Sequence, residues 1–437
     1  MLIIYSVVII IFLAMNKYIY KKFWNYLNVF LLIWYFASVL SMQGFYDFYV
    51  PSNKAYIYIL ITLISLETFS ILFMKLTIKK KKANLNDEKY KLKYFNITLL
   101  ALLVTVLMIP TTIKGINVLA NSGFGALRTE GLSAGTTYTA LEKIFLVYIL
   151  KPFNMALLTY SVVDFIDNNK IRFNLILCII NVFQQMLTFG GRSALLGIIL
   201  LIFVVVVDKY GNRILQLIKK NKKILIAAIA ILGVIVYITS QRQVGGGEGL
   251  IFNIYTYFVG SIHLFGVCID NPSVFLLDGN NLLYGQAMFN WITEIINFSG
   301  GLLFNTSITT GIEIVNQVTQ NFVHVSPTVL MNNNVTMLYV FLRDFDIWGL
   351  IIGPMILALV YVCSYKARKN RRTLLSRVIY YYLLSQMPYF LFEYIFAKGN
   401  VVFVIIFVFL INRFICLNRK EKCKTNDIVD GKENIYD

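Results

Sequence analysis

Four arginines, two histidines and a scatter of carboxylates are the residues of this chain whose types and placement suit chemistry. Arg128, Arg192, Arg242 and Arg343 each stand between or at the edge of strongly apolar stretches. A guanidinium fork matches two phosphate oxygens at once, so several arginines at one membrane face suit a phosphate or pyrophosphate group. The blander reading is that each one snorkels at a helix end. His324, in the run Asn321-Phe322-Val323-His324-Val325-Ser326-Pro327, and Asp344, directly after Arg343, are the candidate catalytic residues. A neutral imidazole or a carboxylate can take a proton from a hydroxyl nucleophile near neutral pH, and a hydrogen-bonded interfacial histidine is the competing reading of His324. His263 lies in a more apolar run and reads as a hydrogen-bonded interfacial histidine before a catalytic one. Glu248, Asp270, Asp278, Glu294, Glu313 and Asp346 are the other carboxylates of the same stretch, and all stay open as partners.

Arg192 leads the arginines. It follows Gly190 and Gly191 in a turn too short for anything but a tight hairpin, and Ser193 after it opens an apolar run. A helix N-terminus there would add free N–H groups and a partial positive charge, both suited to an anion. No metal or cofactor is expected. The five cysteines form no Cys-x-x-Cys pair, and neither a His-Glu-x-x-His motif nor a phosphate-binding Gly-x-x-x-x-Gly-Lys loop is present.

The elements that must carry these residues are membrane helices. The composition, 58% hydrophobic and 14% charged, is that of a polytopic membrane protein. With about 20 apolar residues needed per crossing, about eleven spans are predicted. They fall near 1–16, 23–42, 55–77, 94–113, 140–165, 173–189, 193–208, 223–240, 345–365, 374–396 and 400–416. The expected fold is therefore all-α, with a membrane domain over 1–240, a large extracytoplasmic loop over 241–344, a second membrane part over 345–416 and a cytoplasmic tail over 417–437. The first span, with no basic leader and no small-residue cleavage site, reads as a retained helix.

Lysine and arginine bias sets the expected orientation. Of the 40 basic residues, 31 fall in alternate turns and nine on the other side, which predicts the N-terminus outside, the C-terminus inside and the long loop outside. The same clustering turns the charge of +18 into a membrane signature and argues against a nucleic-acid partner. Within the loop, Ile254–Asp270 and Ala287–Phe298 read as amphipathic helices at the interface or short re-entrant pieces. Residues 114–138, rich in Gly, Ser and Thr, read as a mobile outer turn. Glu67 and Lys151 fall in the middle of predicted spans, where the functional reading is a proton or ion path and the favoured reading a structural ion pair or two separate hydrogen bonds.

Two stretches carry a family resemblance. FGGRSALLGIILLIF (189–203) resembles the Gly-Arg-Ser helix start of Wzy-type oligosaccharide-repeat-unit polymerases, and NNVTMLYVFLRDFDIWGLIIGPMIL (333–357) resembles the exit from their large outer loop. TYFVGSIHLF (256–265) is weakly similar to an earlier loop segment. The glycine usual after Asp-Phe is replaced here by Asp346. The resemblance implies a glycosyltransferase of O-antigen or capsule assembly in the bacterial cytoplasmic membrane. Such an enzyme takes a growing glycan from undecaprenyl pyrophosphate and passes it to one lipid-linked repeat unit at the outer face. Membrane lipids, a chain-length regulator and a flippase are the implied partners. A lipid-oligosaccharide flippase and an O-antigen ligase-like enzyme are the competing classes. The first should show broken helices or repeats, and the second would use a different acceptor.

Overall fold

The computed structural model describes residues 1–76, 92–132, 137–168, 170–191, 193–211, 233, 249–304, 308–371 and 373–415. Apart from a two-residue β ribbon, β1 (Val323–His324) against β2 (Leu330–Met331), every regular element among them is helical. In chain order they are α1 (Leu2–Tyr20), α2 (Tyr26–Ser41), α3 (Asn53–Lys75), α4 (Tyr94–Leu132), α5 (Ala140–Phe145), α6 (Lys151–Asn168), α7 (Phe173–Phe189) and α8 (Ser193–Tyr210). Then follow α9 (Leu250–Asp270), α10 (Asn290–Phe304), α11 (Gly311–Thr319), α12 (Met337–Phe345), α13 (Gly349–Arg371), α14 (Leu374–Gln386) and α15 (Gly399–Ile415). Six helical stretches are long and apolar enough to cross a membrane, and three shorter apolar helices accompany them. The protein is thus an all-α membrane protein. Helices stand at ten of the eleven predicted spans; the one at 223–240 lies outside the described residues except for Gly233.

Three of the basic turns meet at one end of the bundle. Arg172 donates to Asp164 (3.0 Å), Arg377 to Asp167 (2.7 Å) and Arg368 to Asp208 (2.8 Å), and Lys209 reaches Asp167 (3.4 Å). These pairs bring the turns after α6, α8 and α13 together, as alternating antiparallel helices require. Inside, neutral amides hold the helices. Asn181 on α7 donates to Asn154 on α6 (3.0 Å) and accepts from Thr105 on α4 (2.7 Å). Lipid is as apolar as a leucine face, so hydrogen bonds and close packing are what fasten one membrane helix to another.

Three elements differ from the sequence expectation. The turn expected over 114–138 is helical as far as Leu132, broken only at Gly123 (φ 77°). Lys114 pairs with Glu142 (2.7 Å), and Gly115 lies against the backbone of Leu187 on α7, where no side chain would fit. Small residues that look like loop in sequence are here the condition for helix contact. In the segment expected as a large loop, α9 and α10 stand near the two stretches read as helical, but Ile251–Asp270 of α9 is itself long and apolar enough to cross a membrane. It packs along the end of α2 and the turn that follows: Tyr255 bonds to Leu40 O, His263 to Tyr49 O, and Gly266 abuts Pro51. The predicted span at 374–396 stops halfway. Pro388 follows Gln386 closely, the chain turns through Met387–Leu391 and Ile395–Ala397, and helix resumes only at Gly399.

Candidate functional site

Of the predicted site residues, Arg128, His324, Arg343 and Asp344 lie among the described residues, and no hydrogen bond or ion pair joins Arg128 or His324 to the other two. Arg343 is 1% exposed, and its Nη1 donates to the carbonyls of Leu276 (2.6 Å) and Asn281 (2.8 Å). Asp344 is wholly buried and accepts the backbone N–H groups of Ala287 (3.1 Å) and Met288 (2.7 Å). The two side chains fold the 275–289 stretch onto α12, and Tyr339, whose hydroxyl donates to Phe275 O (2.8 Å), completes that seam. The expected outward-facing arginine and catalytic carboxylate are thus corrected to fold-holding groups. His324 is exposed on the β ribbon, its Nδ1 3.3 Å from Ser326 O, and no contact joins it to Asp344. Arg128 is exposed and has no hydrogen bond or ion pair among the described residues. Its backbone abuts Gly190, which is left-handed (φ 61°), caps α7 and precedes Arg192 by two positions. Arg192 and Arg242 lie outside the described residues. His263 is hydrogen-bonded as expected, donating to Tyr49 O (2.9 Å), but it is buried, with its ring against Phe48.

Polar side chains gather elsewhere, around a cavity of about 190 Å³ between α6, α7, the first turns of α8, and the broken stretch from α14 to α15. Pro152 is the first determinant. It offers no N–H to the Tyr148 carbonyl one turn back, and the helix widens into a π turn over Leu146–Leu150 just before it. Lys151 is thereby set at the cavity wall. The interrupted chain around Pro388 is the second. Irregular backbone at membrane depth is tolerated where protein or a polar cavity covers it, and this one supplies Tyr389, Glu393, Lys398 and Asn400 to the lining.

Lys398 pairs with Glu393 (2.6 Å), whereas Lys151 has no hydrogen bond or ion pair among the described residues. Gln185 Nε2 and Asn400 Oδ1 also line the cavity, buried and unpartnered. Two ammonium groups against one carboxylate leave the cavity cationic. At roughly 30 Å³ per water it has room for about six waters or one small polyatomic anion. The arrangement is built to hold negative charge, because a cation in a poorly solvated site attracts an anion far more strongly than one in water. An ion pair between Glu67 and Lys151, one of the alternatives for these two charges, does not form. Glu67 faces Asn16, Tyr20 and Tyr26, while Lys151 shares its surroundings with Glu393 and Lys398.

The segment over the bundle end docks beside this cavity. Asn290 and Glu294 on α10 grip the turn before α15: Asn290 donates to Ala397 O (3.2 Å), and Glu294 accepts from Gly399 N (2.7 Å), Tyr148 OH (3.3 Å) and Asn290 (2.6 Å). Burial pushes the Glu294 carboxyl above its ordinary range, and those donors with the nearby Lys398 charge pull it back. Gly399 permits the contact, since a Cβ there would come within 2.6 Å of Glu294 Oε2. Gly399→Ala should therefore lower stability by about 1–3 kcal/mol, read as a drop in the unfolding temperature in detergent, with the loss reduced in a Glu294→Ala background. Equal losses in both backgrounds would show that the grip of α10 is not what the glycine serves.

Sequence reasoning singled out Lys151 but missed Gln185, Tyr389, Glu393 and Asn400. The signal was there in Pro388, Glu393 and Lys398, three residues ill-suited to an uninterrupted span. Compared with protein-family models, with curated proteins and with solved structures, the chain finds no match, and the reading of its site rests on the geometry of the cavity.

Proposed function

We propose that the protein is a membrane glycosyltransferase that polymerises undecaprenyl-pyrophosphate-linked repeat units, and that the lysine cavity receives the pyrophosphate. The observation that carries this reading is the unpaired Lys151 ammonium at a cationic cavity lined by Ala194 and Gly197, in the first turns of the helix opened by the Gly-Arg-Ser motif. Arg192, two positions before Ala194 in the chain, and exposed Arg128 would receive the same anion from its outer side. In such a site the lysine stabilises the charge that builds on the leaving pyrophosphate while an acceptor sugar hydroxyl attacks the anomeric carbon. Glu393 is the carboxylate facing the cavity, and it would take the hydroxyl proton. The substrate would be presented at the outer face of the cytoplasmic membrane, under the segment 249–345.

A second reading, a lipid-oligosaccharide transporter, is favoured by the interrupted helix at the cavity, a feature of transporter sites. One experiment separates them. In a deletion strain, the polymerase reading expects single lipid-linked repeat units to accumulate at the outer face and long glycan to vanish. Accumulation confined to the inner face would replace this reading with the transporter.

A further inference from the structure

Two amide side chains of the lysine cavity are idle. Gln185 is 5% exposed, and its Nε2 has no hydrogen-bond partner among the described residues; the buried Oδ1 of Asn400 has none either. Both residues line the cavity that holds Lys151. Lys151 and Lys398 share that cavity with Asn400, yet neither ammonium donates to its oxygen. Anion binding uses the ammonium groups and proton transfer uses Glu393, so these two atoms are left over. An amide nitrogen is a donor only, and an amide oxygen is an acceptor only. The cavity therefore offers one spare donor and one spare acceptor beside its positive charge. Buried polar atoms are nearly always satisfied, and two orphans in one cavity point to a ligand that satisfies them.

The two groups enter from different walls. Gln185 is on α7 and Asn400 on α15, and α6 packs between these helices. Asn154 on α6 accepts from Asn181 on α7 (3.0 Å), and Tyr160 on α6 donates to Val408 O on α15 (2.9 Å). A ligand that meets both must present an acceptor at one edge and a donor at another. An ionised phosphate only accepts, so it can take Lys151 and Gln185 but gives Asn400 nothing. A sugar hydroxyl donates and accepts, but through a single oxygen, and so serves two walls poorly. A trans secondary amide fits, because its N–H and C=O stand on opposite edges of one rigid plane. The N–H would donate to Asn400 Oδ1 and the C=O would accept from Gln185 Nε2. The acyl carbon then needs apolar surface, which Met155, Val182, Val401 and Val404 supply in the same lining.

An amide can lie that close to the phosphate of a sugar 1-pyrophosphate when it sits on the ring carbon next to the anomeric one. There its nitrogen and the phosphate-bearing oxygen are on neighbouring carbons. Resting on the pyrophosphate site proposed above, we infer that Gln185 and Asn400 read an acylamino group on the first sugar, so that this cavity takes lipid-linked glycans that begin with an N-acylated amino sugar. Lys151 meets the charge that every such lipid carries, and the amide pair meets the sugar. A sugar with a hydroxyl in place of the acylamino group leaves buried groups unpaired, which is the strongest way for a site to reject an analogue.

The test uses the full chain in lipid nanodiscs and two probes, farnesyl pyrophosphate carrying N-acetylglucosamine and the same lipid carrying glucose, with affinities read by calorimetry. The native protein should bind the N-acetylglucosamine probe about tenfold or more tightly than the glucose probe. Gln185→Met and Asn400→Leu should each bring the two affinities close together, by weakening the N-acetylglucosamine probe and leaving the glucose probe near native. Asn400 stands at the start of α15, so if Asn400→Leu does not fold, Gln185→Met and Gln185→Glu decide: both remove the donor and both should lose the preference. Lys151→Met should weaken both probes alike and keep the preference. Equal native affinities for the two probes, both weakened by Lys151→Met, would overturn the amide reading and leave the pyrophosphate site standing. A preference that survives Gln185→Met would overturn it too. Affinities unmoved by Lys151→Met would overturn the pyrophosphate site and this inference with it. N-acetylglycine, which joins an amide to a carboxylate, tests the other source of the same chemistry. Tighter binding of N-acetylglycine than of the N-acetylglucosamine probe would make the ligand an acylated amino acid and overturn the sugar assignment.

Discussion

Lys151→Met is expected to slow glycan polymerisation by roughly a hundredfold or more while leaving the protein abundant and its unfolding temperature unchanged or higher. The two halves of this result have one cause. Lys151 has no hydrogen bond or ion pair among the described residues, and the nearby carboxylate of Glu393 is already paired with Lys398, so its ammonium is held in a poorly solvated place with only partial compensation. Methionine has similar length and no charge, and it removes that strain. Residues that serve a bound anion and not the fold behave this way: their removal harms function and spares stability. Lys151→Arg keeps the charge but brings a longer, planar fork into a cavity of about 190 Å³, and should restore only part of the activity. The measurement is glycan length from purified protein supplied with lipid-linked repeat units, beside thermal unfolding in detergent. Normal glycan lengths from Lys151→Met would remove the cavity from the mechanism. Combining Lys151→Met with Glu67→Gln should give the sum of the two stability changes, because the two side chains have separate surroundings.

Much of the helical framework was legible because each helix is written locally. Runs of about 20 apolar residues mark crossings. Helix starts are local too: Asn25 caps α2, and the Thr-x-x-Glu pairs Thr139–Glu142 and Thr310–Glu313 both form reciprocal capping boxes. What stayed hidden depends on which helices are neighbours. Glu67 and Lys151 both sit within apolar runs, and nothing in the sequence tells that α3 turns one toward Tyr20 and Tyr26 while α6 turns the other toward the broken α14. Arg343 stands at the edge of an apolar run, as an interfacial arginine would, yet the carbonyls that claim it come from residues 276 and 281. The cavity was hidden for a further reason. An apolar window averages over Pro388 and Glu393, so a helix interrupted at its middle has the hydropathy of a whole one.

Asp344→Ala is expected to remove folded protein and leave the chemistry of what survives untouched. The carboxylate holds the N–H groups of Ala287 and Met288, just before α10, and it does so with no exposure to solvent. Alanine leaves both donors buried and unpaired, at about 1–3 kcal/mol each, so the loss is about 2–6 kcal/mol. A typical domain has only ~5–15 kcal/mol to lose. The damage should spread along a defined route. Residues 283 and 284 bond to the backbone of Arg343 and Asp344, so loosening this seam frees the 275–289 stretch and then α10, which grips Gly399 beside the cavity. Asp344→Asn should be milder, since its single oxygen can satisfy one of the two donors while its amide opposes the other. Protein that passes size-exclusion chromatography as a single species should then polymerise at the native rate per molecule. The opposite outcome, Asp344→Asn recovered in full amount with a native unfolding temperature but no activity, would move Asp344 from the fold back to the reaction. It would also require the seam to open during turnover, because in this structure the carboxylate has no path to a substrate.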